Sequence, residues 1–244
     1  MLQNYTVDSL ELQRKKWKAE PLTYQPLAYD DLMPGVLNAI ALGLHLELNV
    51  AGWVGESNKS IKDKISPAAF KSLGKNINDE KNHYDQFIFA ADVYKVSQES
   101  MKRAEELGKA WEEHSAHPLE KAATSEAGVF LPSLFLLTQF GGHSLANMAG
   151  EISKDEFRHV IMNCSVLDAL GKRQTAFDSL TELRHETLAF VFDSVQIDDL
   201  GIDLDFMLEQ SDQLVLTGKA PELQAMSFHQ QYLVPFENPN HKQY

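Results

Sequence analysis

The chain has 244 residues, one cysteine (Cys164), and 22 Lys+Arg against 35 Asp+Glu, a net charge of −13. Its 43% hydrophobic content is enough for one large domain and excludes wholesale disorder. Acidity argues against nucleic acid as a partner, and a lone cysteine excludes a disulfide framework, an all-cysteine zinc or iron–sulfur site and a rubredoxin-type domain.

Residues 1–33 read as an irregular arm punctuated by Pro21 and Pro26. Pro34 suits a first helical turn, and Leu37, Ile40, Leu44, Glu47, Ala51 and Val54 follow on one helix face, ending near Ser57–Ser60. Ser66-Pro67 is a strong N-terminal pair for a second helix through Leu73, Glu80, Phe87 and Tyr94, continuing as a charged helix to about Glu113. Residues 114–118 form a connector. A third helix is expected over 119–140, with Pro132 as a source of distortion, and Gly141-Gly142 as a break. A fourth should cover 143–170 and stop at Gly171. Further helices are expected at 174–193 and 203–215, and the tail from Pro221 reads as irregular. Alternating β-branched runs are scarce, so the fold class is all-α. The N-terminus lacks a signal-type apolar core, and the longest strongly apolar stretch, residues 128–137, is half the roughly 20 residues of a membrane span. A soluble, cytoplasmic protein is expected, with no membrane partner.

One pattern occurs twice. Residues 79–83 and 155–159 both read Asp-Glu-x-x-His. Glu and His three apart share a helix face, so each motif can offer a carboxylate and an imidazole to a metal ion. Glu47 precedes Glu80 by 33 residues, and Glu126 precedes Glu156 by 30. The midpoints of the two pairs, 63.5 and 141, fall in the two helix connectors. Residues equidistant from a hairpin turn lie level across it, so four carboxylates and two histidines should converge inside a four-helix bundle.

On these residues the sequence resembles the ferritin-like di-iron carboxylate superfamily, in which a Glu from each of two helices and a Glu-x-x-His from each of two others hold the metals. The resemblance covers residues 34 to 170. It implies a ferritin-like four-helix bundle with additional helices: an arm (1–33), a bundle with a di-metal site (34–193), and a C-terminal helix and tail packed on it (194–244). Glu47 and Glu126 would be terminal ligands, Glu80 and Glu156 bridges, and His83 and His159 one ligand to each metal. Asp79 and Asp155 would each accept the second N–H of a ligand histidine on the opposite motif helix. The implied cofactor is two Fe ions, although Mn or a mixed Mn/Fe pair suits the same donors. The implied function is a non-haem O₂-activating oxidase or oxygenase acting on a small organic substrate. Dioxygen and an external electron donor would be its partners, and the chain could form a homodimer. The alternatives are a bacterioferritin-type ferroxidase or iron-storage protein, and a non-enzymatic interaction protein stabilised by metal.

Within the superfamily, Phe87 stands where many ribonucleotide reductase small subunits carry a radical Tyr, and Val129 and Phe130 where some hydroxylases and desaturases carry a Thr. Both departures turn the reading from those members. Phe87 and Phe130, each a turn beyond an expected ligand, are candidate substrate-pocket residues. His45 and His185 are expected away from the metals, His114 and His117 are expected to be solvated, and Glu56 and Glu120 face away from their ligand neighbours.

Overall fold

The structure, a computed structural model, describes residues 21–27, 30–172, 176–195 and 202–217. Among these residues every regular element is helical: a short 3₁₀ turn (Asp30–Leu32) leads into α1 (Met33–Ile61), followed by α2 (Pro67–Tyr94), α3 (Gln98–Glu113) and α4 (Pro118–Ser125). A π-helical turn (Glu126–Phe130) joins α4 to α5 (Leu131–Phe140), and α6 (Gly142–Ala169), α7 (Ala176–Phe192) and α8 (Leu204–Thr217) complete the chain order. The expected all-α class holds.

The local signals act as the chemistry requires. Pro34 lies in the first turn of α1, where its missing N–H costs no hydrogen bond. Ser66 caps α2, its Oγ accepting from the Ala69 N–H at 3.1 Å, a contact of about 1 kcal/mol. Gly142 takes a φ of +74° as the chain turns into α6, and Gly171 takes +68° as α6 ends. These are left-handed conformations that glycine adopts without strain.

Four rods close a ring. α1 packs on α2, α2 on α6, α6 on the continuous rod α4–π-turn–α5, and that rod on α1. The connectors are residues 62–66 and the Gly141 break, so the ring is made of two helical hairpins. α3 lies along α1, where Asn49 Nδ2 donates to the Gly108 carbonyl at 2.9 Å. α7 covers α4, α1 and the π-turn, and α8 covers the π-turn, α6 and α5. Arg184 of α7 pairs with Asp212 of α8 over this region. Residues 21–27 clasp the start of α6: Gln25 Oε1 accepts from the Ser144 N–H at 3.0 Å, and Ser144 Oγ donates to the Thr23 carbonyl at 3.0 Å.

Several expectations need correction. The helix expected to run from Ser66 to Glu113 is two, because Lys95 turns left-handed (φ +55°) and Ser97 caps a fresh start, its Oγ accepting from Ser100 N–H. The distortion of the third rod lies before Pro132: Leu131 donates to the Glu126 carbonyl, five residues back, and Pro132 sits in the first turn of the resumed helix. His114 and His117 are half-buried, and Nδ1 of His117 caps α4 by accepting from the Leu119 N–H, while Glu120 accepts from the His117 N–H at 3.1 Å. Hydropathy also understated α1. Asp30–Ile61 is long and apolar enough to cross a membrane by length and composition, but 61% of its most apolar 18-residue stretch is buried within the protein. Its breadth is explained by its neighbours, since α1 packs on α2, α3, α4, α5 and α7. The arm before residue 21 and the tail from Pro221 lie outside the described residues.

Candidate metal centre

Each rod of the ring contributes to one cluster. α1 supplies Glu47, α2 Glu80 and His83, the π-turn Glu126, and α6 Glu156 and His159, and all six side chains are fully buried. They form two overlapping groups, each able to hold a metal ion: Glu47, Glu80, His83 and Glu156 in one, Glu80, Glu126, Glu156 and His159 in the other, with the donor atoms of each group within 4.8 Å of one another. Glu80 and Glu156 belong to both.

The shared carboxylates divide their oxygens. Glu80 directs Oε2 towards Nδ1 of His83 (3.5 Å) and Oε1 towards Nδ1 of His159 (2.6 Å). Glu156 directs Oε1 to the first ring (3.0 Å) and Oε2 to the second (3.8 Å). Glu47 Oε2 lies 3.5 Å from Nδ1 of His83, and Glu126 Oε1 lies 4.0 Å from Nδ1 of His159. The two rings stack with centroids 6.0 Å apart.

The far nitrogens reach across the bundle. His83 Nε2 on α2 is 3.2 Å from Asp155 Oδ2 on α6, and His159 Nε2 on α6 is 3.2 Å from Asp79 Oδ2 on α2. An Nε2–H donated to each aspartate leaves the Nδ1 lone pair facing the glutamates. Adjacent helix residues point about 100° apart, so each Asp can address the opposite rod while its neighbouring Glu faces the interior. Arg158, one turn on from Asp155, pairs with it.

Electrostatics give the same account. Burial pushes the carboxyls of Glu47 and Glu126 well above the usual carboxylate range, and the nearby Glu156 adds to the push. Burial and Glu80 push Glu156 up to about 7. Burial also works against charge on Glu80, but the imidazoles of His159 and His83 hold it below its ordinary value. Burial disfavours imidazolium, yet Glu47 beside His83 and Glu80 beside His159 hold both rings well above theirs. Without a cation, protons alone supply the positive charge that this cluster needs. Neither oxygen of Glu47, Glu80 or Glu156, nor Oε1 of Glu126, has a well-formed hydrogen bond among the described residues, and the nitrogens nearest to them are the inward-facing Nδ1 atoms of His83 and His159. Buried acceptors left in this state are costly unless a cation takes their lone pairs. Carboxylates and imidazoles converging out of water therefore fit metal ions.

No family model, no curated protein and no solved structure matches this chain.

The other singled-out residues sort plainly. Phe87 and Phe130 are buried. The Phe87 ring rests on Gly43 of α1, where an added Cβ would lie 2.5 Å from the ring. His45 is half-buried, and His185 and Glu56 are exposed. One buried residue escaped the sequence reading: Asn163, whose Nδ2 donates to Glu126 Oε2 at 2.9 Å. Its signal was its position four residues after His159, on the same helix face.

Proposed function

We propose that this protein is a ferritin-like di-iron carboxylate oxidoreductase, a cytoplasmic oxidase or oxygenase that activates dioxygen to act on a small organic substrate. The observation that carries the reading is the sharing of Glu80 and Glu156, each with one oxygen towards each histidine. A single-ion site has no use for carboxylates split in this way. Four glutamates also offset the charge of two divalent ions in a site that excludes water. Iron is the proposed metal, and manganese or a mixed pair suits the same donors.

When bound, the ions supply the electrons that reduce dioxygen. The chain's own part is to hold and orient. Glu47 and His83 would hold one ion, Glu126 and His159 the other, with Glu80 and Glu156 spanning both. Asp155 and Asp79 hold the second nitrogen of each imidazole, setting ring orientation and raising ligand basicity. Phe87 and Phe130 are proposed to line the substrate side. An external donor would return electrons after turnover.

The test is anaerobic reconstitution with Fe²⁺, followed by exposure to O₂. Two ions per chain and O₂ uptake by the reduced protein are expected. Saturation at one ion or none would sink the di-metal assignment. Two ions without O₂ uptake would mark a structural site, and a mineral core within a large assembly would mark iron storage.

A further inference from the structure

The two halves of the cluster repeat the same Glu, Asp, Glu and His donors and differ in the residue one turn past the histidine. Four residues past His83 stands Phe87; four past His159 stands Asn163. Both are buried. Phe87 packs on the bare backbone of Gly43 and has no polar atom to offer. Asn163 donates from Nδ2 to Glu126 Oε2 at 2.9 Å. Glu47, the counterpart of Glu126, has no well-formed hydrogen bond at either oxygen among the described residues, and only the prospective ligand nitrogen Nδ1 of His83 lies near it, at 3.5 Å.

This changes what each position offers. The His83 group has Nδ1, one oxygen each from Glu80 and Glu156, and both oxygens of Glu47. The His159 group has Nδ1, one oxygen each from Glu80 and Glu156, and only Oε1 of Glu126. Glu126 also opens the π-turn, where Leu131 donates to its carbonyl and holds the backbone in the wider winding.

We infer that Asn163 is a positioning residue that makes the two metal positions unequal: by engaging Oε2 it restricts Glu126 to one ligating oxygen, keeping a coordination position open to a small exogenous ligand at the ion beside His159. The inference rests on the two-ion reading above. It assigns ligand entry to the Glu126–His159 side, where the donor set is smaller by one oxygen.

Co²⁺ is the probe, because its visible absorption strengthens as coordination number falls, with azide as the exogenous ligand. Wild-type protein should bind two Co²⁺ ions with unequal spectra, and azide should perturb only the stronger. That azide-sensitive spectrum should persist in His83→Ala and vanish in His159→Ala. Asn163→Leu removes the donor at similar shape. It should keep both ions, weaken the stronger band as Glu126 turns both oxygens to the metal, and lower azide affinity about tenfold. Equivalent cobalt spectra in the wild type, azide acting on the His83 side, or an Asn163→Leu protein with unchanged band and azide affinity would each overturn the inference. So would loss of the second ion in Asn163→Leu, since the amide would then be holding the ligand rather than limiting it. Fewer than two cobalt ions per wild-type chain would instead overturn the two-ion reading itself.

Discussion

The two hairpins carry the same donor set in different settings. In the first, α2 buries a single stripe that includes Leu73, Glu80, His83, Phe87 and Ala90, while residues between them, such as Lys81, Asn82 and Asp85, are exposed. In the second, α6 is buried without a break from Asp155 to Cys164, because α7 and α8 lie over the neighbouring rod and α6 itself. The first hairpin is built of regular α-helix around its ligands, and the second interrupts its rod with a π-turn that begins at Glu126. Arg184 lies over that turn, so close to Gly128 that an added Cβ would meet its Cδ at 2.4 Å. Identical ligands can therefore be tuned apart by what covers them, since second partners and local dielectric set ligand behaviour as much as the ligands do.

The largest effect expected across this comparison comes from residues that belong to both halves. Glu80→Ala or Glu156→Ala should abolish loading of the pair and O₂ uptake, read as iron per chain and oxygen consumption. Retention of two ions in both variants would show that the halves do not share carboxylates. Next, His83→Ala and His159→Ala should each strip one side, leaving about one ion per chain by elemental analysis.

The aspartates should separate the halves more finely. Asp79→Asn and Asp155→Asn keep shape but weaken the acceptor behind each imidazole, costing about 10- to 100-fold in metal affinity. The loss should be greater for Asp155→Asn, because Asp155 is the more buried of the two. Equal losses in competition titrations would erase this difference between hairpins.

Acidity acts on both halves through the protons that metal must displace. In the metal-free cluster Glu156 is raised to about 7, with Glu47 and Glu126 also raised. Metal uptake at neutral pH should therefore release protons, and affinity should fall as pH drops through 7, about tenfold per unit for each proton displaced. Calorimetry in buffers of different ionisation enthalpy measures the release. The fold without metal should behave oppositely. Raised carboxyls bind protons more tightly folded than unfolded, so their contribution weakens the metal-free fold as pH rises from 4.5 towards 7. Denaturant titrations on metal-free protein across that window check the sign.

The smallest effects concern glycines. A methyl at Gly43 would strike the Phe87 ring, which is held between α1 and α2, so Gly43→Ala should cost about 1–3 kcal/mol. At Gly128 the nearest atoms belong to the Arg184 side chain, which can shift, so Gly128→Ala should cost less. Thermal denaturation of the two variants ranks them.

Helical class and the six converging donors were legible in the sequence because both follow from spacing along one chain. A period of 3.6 residues places Glu80 beside His83 on one face, and equal distances from a turn bring Glu47 level with Glu80 and Glu126 level with Glu156. The breaks at Lys95–Ser97 and at Glu126–Phe130 were harder to read. Ser97 was a usable cap signal, whereas the π-turn inserts one residue per turn without a distinctive side chain. The amide of Asn163 on Glu126, the Phe87 ring on Gly43 and the stem of Arg184 over Gly128 were decided by tertiary structure alone. Each depends on the rotation and separation of helices far apart in sequence, and periodicity along one helix carries no information about how closely another will approach.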